Sequence, residues 1–212
     1  KYINASQATV VYIDLPSGLM GEDKSNKISQ NIIRADLTLS IQLPKLSFLF
    51  AENEDIVGEW KVLDIGISKN FIEEASTPYF ITEANEIRQL SKPRSRFAHK
   101  GNFGHGLLIA GSYGIAGASI LAARACLRSG IGLLTVHTPV RNHDIVQTSV
   151  PEAMVQNDVH ELYFAEPVDL DNFQALAIGP GIGQEEETAL ATVAQLKACF
   201  IPLGLDADAL NV

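Results

Sequence analysis

The middle of this chain carries a strand, a glycine-spaced loop and a helix in direct succession. His99-Lys100-Gly101-Asn102-Phe103-Gly104-His105-Gly106 leads into the apolar run Leu107-Leu108-Ile109-Ala110. Gly111-Ser112-Tyr113-Gly114-Ile115-Ala116-Gly117 follows, and then a helical pattern over 118–128. A buried strand that delivers such a loop onto a helix N-terminus lets bare backbone N–H groups approach an anion, and the helix dipole favours negative charge there. Phosphate-bearing small molecules suit the arrangement. The spacing is G-x-x-G-x-x-G, not the G-x-G-x-x-G of dinucleotide folds, and no Gly-Lys-[Ser/Thr] follows to make a P-loop. The same glycines also suit close packing of a helix on a sheet, and this loop alone does not separate the two readings.

A second loop of the same type sharpens the case. Ala175-Leu176-Ala177-Ile178 reads as a short buried strand running into Gly179-Pro180-Gly181-Ile182-Gly183, then a helix over 184–197 with Glu185, Glu186 and Glu187 in its first turn. Acidic side chains there suit the dipole. Pro180 fixes the backbone, and the flanking glycines keep side chains out of the way. Two such loops on βα units of one stretch predict a shared cleft at the C-terminal ends of parallel strands.

Composition bounds the function classes. The chain has 212 residues, 46% of them hydrophobic, enough to form a sizeable core in one large or two modest domains. No apolar run reaches the roughly 18 residues that span a bilayer, and no secretory signal pattern is present, so no membrane partner and a cytoplasmic location are expected. The formal charge of −9 disfavours nucleic acid as a partner. Cys126 and Cys199 fall in helical patterns and read as small buried hydrophobes rather than as a disulfide or metal framework.

The organisation is two-part. Strand-like runs occupy 10–14, 37–43 and 60–65, with a polar loop over 18–29. Ser76-Thr77-Pro78 breaks the chain, 81–90 is a short helical pattern after a candidate Thr82 cap, and Lys92-Pro93-Arg94 is a basic linker. From residue 98 the pattern is βαβ: strand 107–110, helix 117–129 closed by Gly130, strand 133–136, strand 175–178, helix 184–197 and strand 201–205. That predicts a doubly wound α/β domain. The chain opens without Met, directly into a strand, and closes on a strand and Asp206-Ala207-Asp208-Ala209-Leu210-Asn211-Val212, so a piece of a longer protein is expected.

The first part has its own motif, Asp14-Leu15-Pro16-Ser17-Gly18. A carboxylate at the end of a buried strand, beside a turn stiffened by proline, is placed to act on a ligand. An Asx turn, in which Asp14 only bonds the following loop, accounts for the same residues.

Taken in order, these segments resemble the bifunctional NAD(P)H-hydrate repair enzymes: D-L-P-S-G, A-D-L-T-L-S-I-Q-L-P-K, V-L-D-I-G-I, H-K-G-N-F-G-H-G-L-L-I-A-G-S-Y-G-I-A-G-A, R-S-G-I-G-L-L-T-V, P-E-A-M, I-G-P-G-I-G and D-A-D-A-L-N. Each is weak alone, and their shared order over nearly the whole chain is specific. The resemblance implies an α/β protein. The end of a Rossmann-like epimerase domain fills 1–75, a linker 76–97, and the first half of a ribokinase-like dehydratase domain 98–212. The first activity interconverts the R and S hydrates of NADH and NADPH. The second uses ADP or ATP to phosphorylate the added hydroxyl, and loss of phosphate restores the dihydropyridine. The fused arrangement points to ADP as donor, with Mg2+ beside it and a homo-oligomer as the expected assembly.

The resemblance also assigns residues. Asp14 contacts the hydrated cofactor and exchanges a proton with it. Ser17 contributes to a potassium site, as a hard oxygen ligand suits. Ala118 and Gly183 are small because substrate passes close to the backbone. Lys100 neutralises a phosphate, or is a solvated lysine at the domain entrance. Asp206 and Asp208 orient a metal-bound water, or form a turn or cap. The family's asparagine–glycine–aspartate loop has no match here, nor does its glycine–threonine–glycine–aspartate loop with the dehydratase base. This stretch alone is therefore expected not to run the dehydration. His105, His137 and His143 have no obvious partners in the sequence. Two other readings compete: a ribokinase-like kinase of a vitamin precursor, and a non-catalytic nucleotide-binding or interaction module.

Overall fold

The computed structural model describes residues 2–22, 31–90 and 93–212. Part of the polar stretch 18–29, and Lys92 of the basic linker, lie outside the described residues. The chain divides into two compact units, Lys1–Arg88 and Gln89–Val212.

In the first unit β1 (Val11–Ile13), β2 (Leu37–Ile41) and β3 (Glu59–Leu63) form a parallel sheet in the order β1-β2-β3. The short helix α1 (Glu54–Val57) leads into β3, and α2 (Lys69–Glu74) follows it. Leu19, Ile32, Phe48 and Val57 form the core on one face. The sequence predicts a buried first strand, and here the structure differs. Val11 and Ile13 are exposed, Ile13 at 69%. Parallel sheets usually carry cover on both faces, and among the described residues nothing of this unit packs over these two side chains. The helix expected over 81–90 is α3 (Ala84–Leu90), which starts beyond Thr82.

The second unit is a five-stranded parallel sheet: β4 (His105–Ile109), β5 (Leu133–Thr138), β6 (Met154–Asn157), β7 (Ala175–Ile178) and β8 (Leu203–Leu205). The spatial order is β6-β5-β4-β7-β8. The chain steps outward from β4 through α4 (Ala116–Ser129) to β5 and through α5 (His143–Ser149) to β6. It then returns to the other side of β4 to lay down β7, α6 (Glu186–Lys197) and β8. Right-handed crossovers in opposite directions put α4 and α6 on opposite faces. The cores show this directly, since successive strand residues face opposite ways. Leu107, Ile109, Leu176 and Ile178 pack with Ile182 and Ala191. Leu108 and Ala110 pack with Ala123, Val136 and Val146. The α/β doubly wound fold expected from the sequence is present.

The long return to β7 is held by polar groups. Buried Gln195 on α6 accepts from the Val168 N–H at 2.6 Å and donates to its carbonyl at 3.2 Å, and Thr188 donates to the Phe164 carbonyl at 2.9 Å. On the α4 side, β7 and β8 border an apolar groove of 370 Å³ lined by Leu108, Ala122, Cys126, Ala177 and Gly204. Cys126 and Cys199 are half-buried free thiols, and Cys199 follows α6 rather than lying in it.

Gly179 sits at φ +133°, and a Cβ there would run into the Asp206 carbonyl and stand 2.9 Å from the Ala209 Cβ. Gly114, at φ +87°, opens onto free space. Gly114→Ala should therefore cost about 1 kcal/mol for its backbone alone, and Gly179→Ala more than about 2 kcal/mol. Urea unfolding of both variants checks this; equal losses would mean that the loop after β7 is not closely packed on β8.

Candidate functional site

In the second unit the two glycine loops leave neighbouring strands at the point where the strand order reverses. Ligands of open α/β sheets bind outside the carboxyl ends of the strands at such a switch. The loops are clasped together. The Gly111 N–H donates to the Pro180 carbonyl at 2.8 Å, and the Gly179 N–H donates to the Ile109 carbonyl at 3.2 Å. A Cβ on Gly181 would stand 2.8 Å from both the Ala118 Cβ and Ile115 Cγ2. Gly111, at φ +82°, lies under the Ser119 hydroxyl and the Asn142 amide. Ala118 and the 179–183 loop are thus brought to one place.

The N-terminus of α4 behind this loop is bare. Its N-cap, Ile115, offers no side-chain hydrogen bond, and the N-cap of α6, Glu185, offers none either. Unsatisfied N–H groups and the dipole make a helix start receptive to an anion. A Cβ on Gly114 or Gly117 would meet nothing within 4 Å, so the backbone is open to an approaching group there.

The predicted residues fall into three groups. Gly183 and Asp208 meet: the Gly183 N–H donates to Asp208 Oδ2 at 3.0 Å. Asp208 therefore braces the second loop. The Asp206 N–H continues the ladder to the Ile178 carbonyl at 3.1 Å, and the Asp206 side chain does not cap the turn it begins. Lys100 is not near them. It lies before β4, with its carbonyl packed on Gly132 at the N-terminal end of β5. The five residues of β4 separate it from the glycine loops by about 16 Å, more than a lysine side chain spans. Strand direction is the reason, and Lys100 lies at the other end of β4 from this cleft.

In the first unit, Asp14 follows β1 at φ +69°. Its Oδ1 accepts from Lys45 Nζ at 2.9 Å and from the Ile41 N–H at 3.2 Å. Neither partner belongs to the loop that follows, so the carboxylate is not spent on an Asx turn. With 43% of its side chain exposed it remains open to a ligand. The Lys45 hydrogen bond, helped by the Ile41 N–H, outweighs desolvation and holds the Asp14 carboxyl below the usual 3.8. Ser17 is exposed; its Oγ accepts from the Tyr12 hydroxyl at 2.5 Å, and its carbonyl accepts from the Ile33 N–H at 3.1 Å. Each Ser17 oxygen accepts one hydrogen bond and keeps a further lone pair for a cation.

The partners absent from the sequence reading are the long-range ones. Lys45 reaches Asp14. Asn142, almost fully buried, donates to the Ser112 carbonyl at 3.0 Å and so holds the first glycine loop from the turn after β5. His105 pairs with Thr135 at 2.8 Å, His137 with Asp158 at 2.9 Å and His143 with Asn157 at 2.7 Å. The only local trace of these pairs is a polar residue inside an apolar strand, as at His137.

Known proteins now bear on this geometry. Residues 106–212 match the family model described as NAD(P)H-hydrate dehydratase. The chain belongs to the NAD(P)H-hydrate dehydratase family. Residues 1–47 match a second model, described as the YjeF-related protein N-terminus. The bifunctional NAD(P)H-hydrate repair enzyme of Coxiella burnetii is 32% identical over 99% of this chain and 42% of its own length. That of Escherichia coli is 32% identical over 100% of this chain and 40% of its own length. The chain thus spans about two fifths of such relatives. The ADP/ATP-dependent NAD(P)H-hydrate dehydratase of Bacillus subtilis, co-crystallised with ATP and Mg2+, superposes with a TM-score of 0.52. It is 32% identical, over 59% of this chain and 45% of that one. A ribokinase-like superfamily protein from Enterococcus faecalis gives 0.51 at 25% identity, over 65% of this chain and 50% of that one.

The ion pair sets a pH test. Because the folded Asp14 carboxyl titrates below its usual value, its pairing stabilises the fold above about pH 4 and is lost as the pH falls through the lowered value. Lys45→Met should raise the Asp14 pKa toward 3.8 in a carboxyl NMR titration; an unmoved titration would mean that Lys45 is not its partner in solution.

Proposed function

We propose that this chain is part of an enzyme that repairs hydrated NADH and NADPH, with nucleotide held at the glycine loops of the second unit. The observation that carries the reading is the bare start of α4, opening from a glycine loop clasped to its neighbour at the sheet's switch point, in a chain of the NAD(P)H-hydrate dehydratase family. The relatives' names and the ATP/Mg2+ complex of the Bacillus subtilis protein support the substrate and the donor.

The chain's own residues then have defined work. Open backbone at Gly114 and Gly117 and the N–H groups of α4's first turn receive the phosphoryl oxygens of ADP or ATP. Ala118 and Gly183 keep the walls low where the hydrated ring passes. Asp208 stops the second loop from closing on it. Transfer of the phosphoryl group to the hydrate's hydroxyl turns that hydroxyl into a leaving group. Departure of phosphate with loss of the adjacent ring proton restores the dihydropyridine. Mg2+ would neutralise charge on the phosphates, which carry most of its coordination in such sites. Asp206 and Asp208 are the carboxylates at that edge.

In the first unit Asp14 is the group that takes and returns a proton as the R and S hydrates interconvert, and Lys45 keeps it ionised between turnovers. Ser17 would supply oxygen to potassium; no step here depends on the ion. A cytoplasmic setting and a homo-oligomer belong to the same proposal.

Gly117 gives a clean test, because it lies within α4 and faces open space. Gly117→Ala should stabilise the helix by about 0.5–1 kcal/mol while filling the cradle, so that ADP binding by calorimetry weakens by at least about tenfold. Unchanged ADP affinity would overturn the nucleotide site. Tight ADP binding without turnover of hydrated NADPH in the intact protein would favour a non-catalytic nucleotide-binding module instead.

A further inference from the structure

At the C-terminal ends of β5 and β6 lies a polar pair that the proposed chemistry does not use. His137 is the fifth residue of β5 and Asp158 directly follows β6; each is only 4% exposed. His137 Nε2 stands 2.9 Å from Asp158 Oδ2. The same carboxylate accepts from the His160 N–H at 2.9 Å and from the Ala165 N–H at 3.0 Å. Burial raises the pKa of Asp158, and the His137 bond with the two backbone N–H groups more than reverses this, so the carboxyl stays ionised. An ionised carboxylate only accepts, so Nε2 carries the proton. Nδ1 is buried without a partner, and the Phe164 ring meets the imidazole edge-on at 5.7 Å. Both ring nitrogens are thus enclosed.

What the pair does hold is a loop. His160 and Ala165, near the two ends of the 158–165 segment, are fixed on one carboxylate. The middle of that segment reaches the glycine loop, where the Leu162 carbonyl accepts from the Tyr113 N–H at 2.7 Å. It also reaches the exit of β5. The Glu161 carbonyl accepts from the Arg141 N–H at 3.2 Å, and the two side chains pair at 2.9 Å. Ser112 and Tyr113 are the residues between Gly111 and Gly114. Asn142 fixes the first through its carbonyl, and Leu162 fixes the second through its amide.

We propose that His137 and Asp158 are positioning residues for the glycine loop. Their bond sets the 158–165 segment, and Leu162 passes that setting to Tyr113 and so to the amides facing the nucleotide. The inference rests on the nucleotide reading above for its effect on turnover, and on geometry alone for its effect on the loop.

Three variants of the intact protein test it. His137→Phe keeps a ring against Phe164 and removes the bond. His137→Gln puts an amide N–H where Nε2–H stands. Asp158→Asn keeps the size of the side chain and turns an NH2 toward two donors, and it stands in if the Phe variant does not fold. Residue-resolved hydrogen exchange should show the Tyr113 and Ala165 amides exchanging about tenfold faster in the Phe and Asn variants, the loss expected for one charge-assisted bond. Leu108 and Val136 should be unchanged, and the Gln variant should match the parent. The KM for ADP should rise about tenfold with kcat within about twofold, again restored by Gln. Parent-like exchange at Tyr113, uniformly faster exchange through β4 and β5, or failure of Gln to restore the loop would overturn the proposal. A parent without ADP-dependent turnover would remove the nucleotide reading alone, and exchange at Tyr113 would still decide this one.

Discussion

One hydrogen bond, from the Gly111 N–H to the Pro180 carbonyl, organises the second unit. It joins the exits of β4 and β7, neighbours in space because the chain turns back after β6. From that junction α4 and α6 leave toward opposite faces of the sheet, which keeps their N-termini from crowding each other. Glycines are required because the loops touch. A side chain on Gly181 would displace Ala118, and one on Gly179 would meet the Asp206 carbonyl. Close packing and an open backbone, which the sequence alone does not separate, fall here to different glycines. Gly179 and Gly181 are packed, whereas Gly114 and Gly117 are open.

Carboxylates recur as loop anchors. Asp14 takes the Ile41 N–H, Asp158 takes those of His160 and Ala165, and Asp208 takes that of Gly183. Asp14 and Asp158 lie just beyond strands and Asp208 in the 3-10 turn after β8, where backbone donors outside the ladder need acceptors. A basic side chain joins two of these anchors, Lys45 at Asp14 and His137 at Asp158.

The local part of this was legible in the sequence. The glycine loops, the strands before them and the helices after them show as patterns within a dozen residues, and the family motifs lie on those segments. The positions of the strands in the sheet were not legible, since no residue records that β7 lies beside β4. Met154-Val155-Gln156-Asn157 is too short and polar to read as a strand until β5 is beside it. Asp14 and Lys45 are far apart in sequence, as are Asn142 and Ser112, so neither pairing left a periodic trace. The place of Lys100 was hidden for the same reason. Closeness to a motif in sequence does not show which end of a strand a residue occupies. In the first unit the apolar run at 10–14 read as buried, yet Val11 and Ile13 are exposed in the described structure.

The central claim is that the two glycine loops form one nucleotide site. Amide chemical shifts of the intact protein, followed as ADP with Mg2+ is added, test it most directly. Gly114, Gly117 and Gly183 should move together, with a common saturation point, while Lys100 and Gly132 at the other end of the sheet stay still. Movement confined to the Lys100 end, or of one loop without the other, would contradict it.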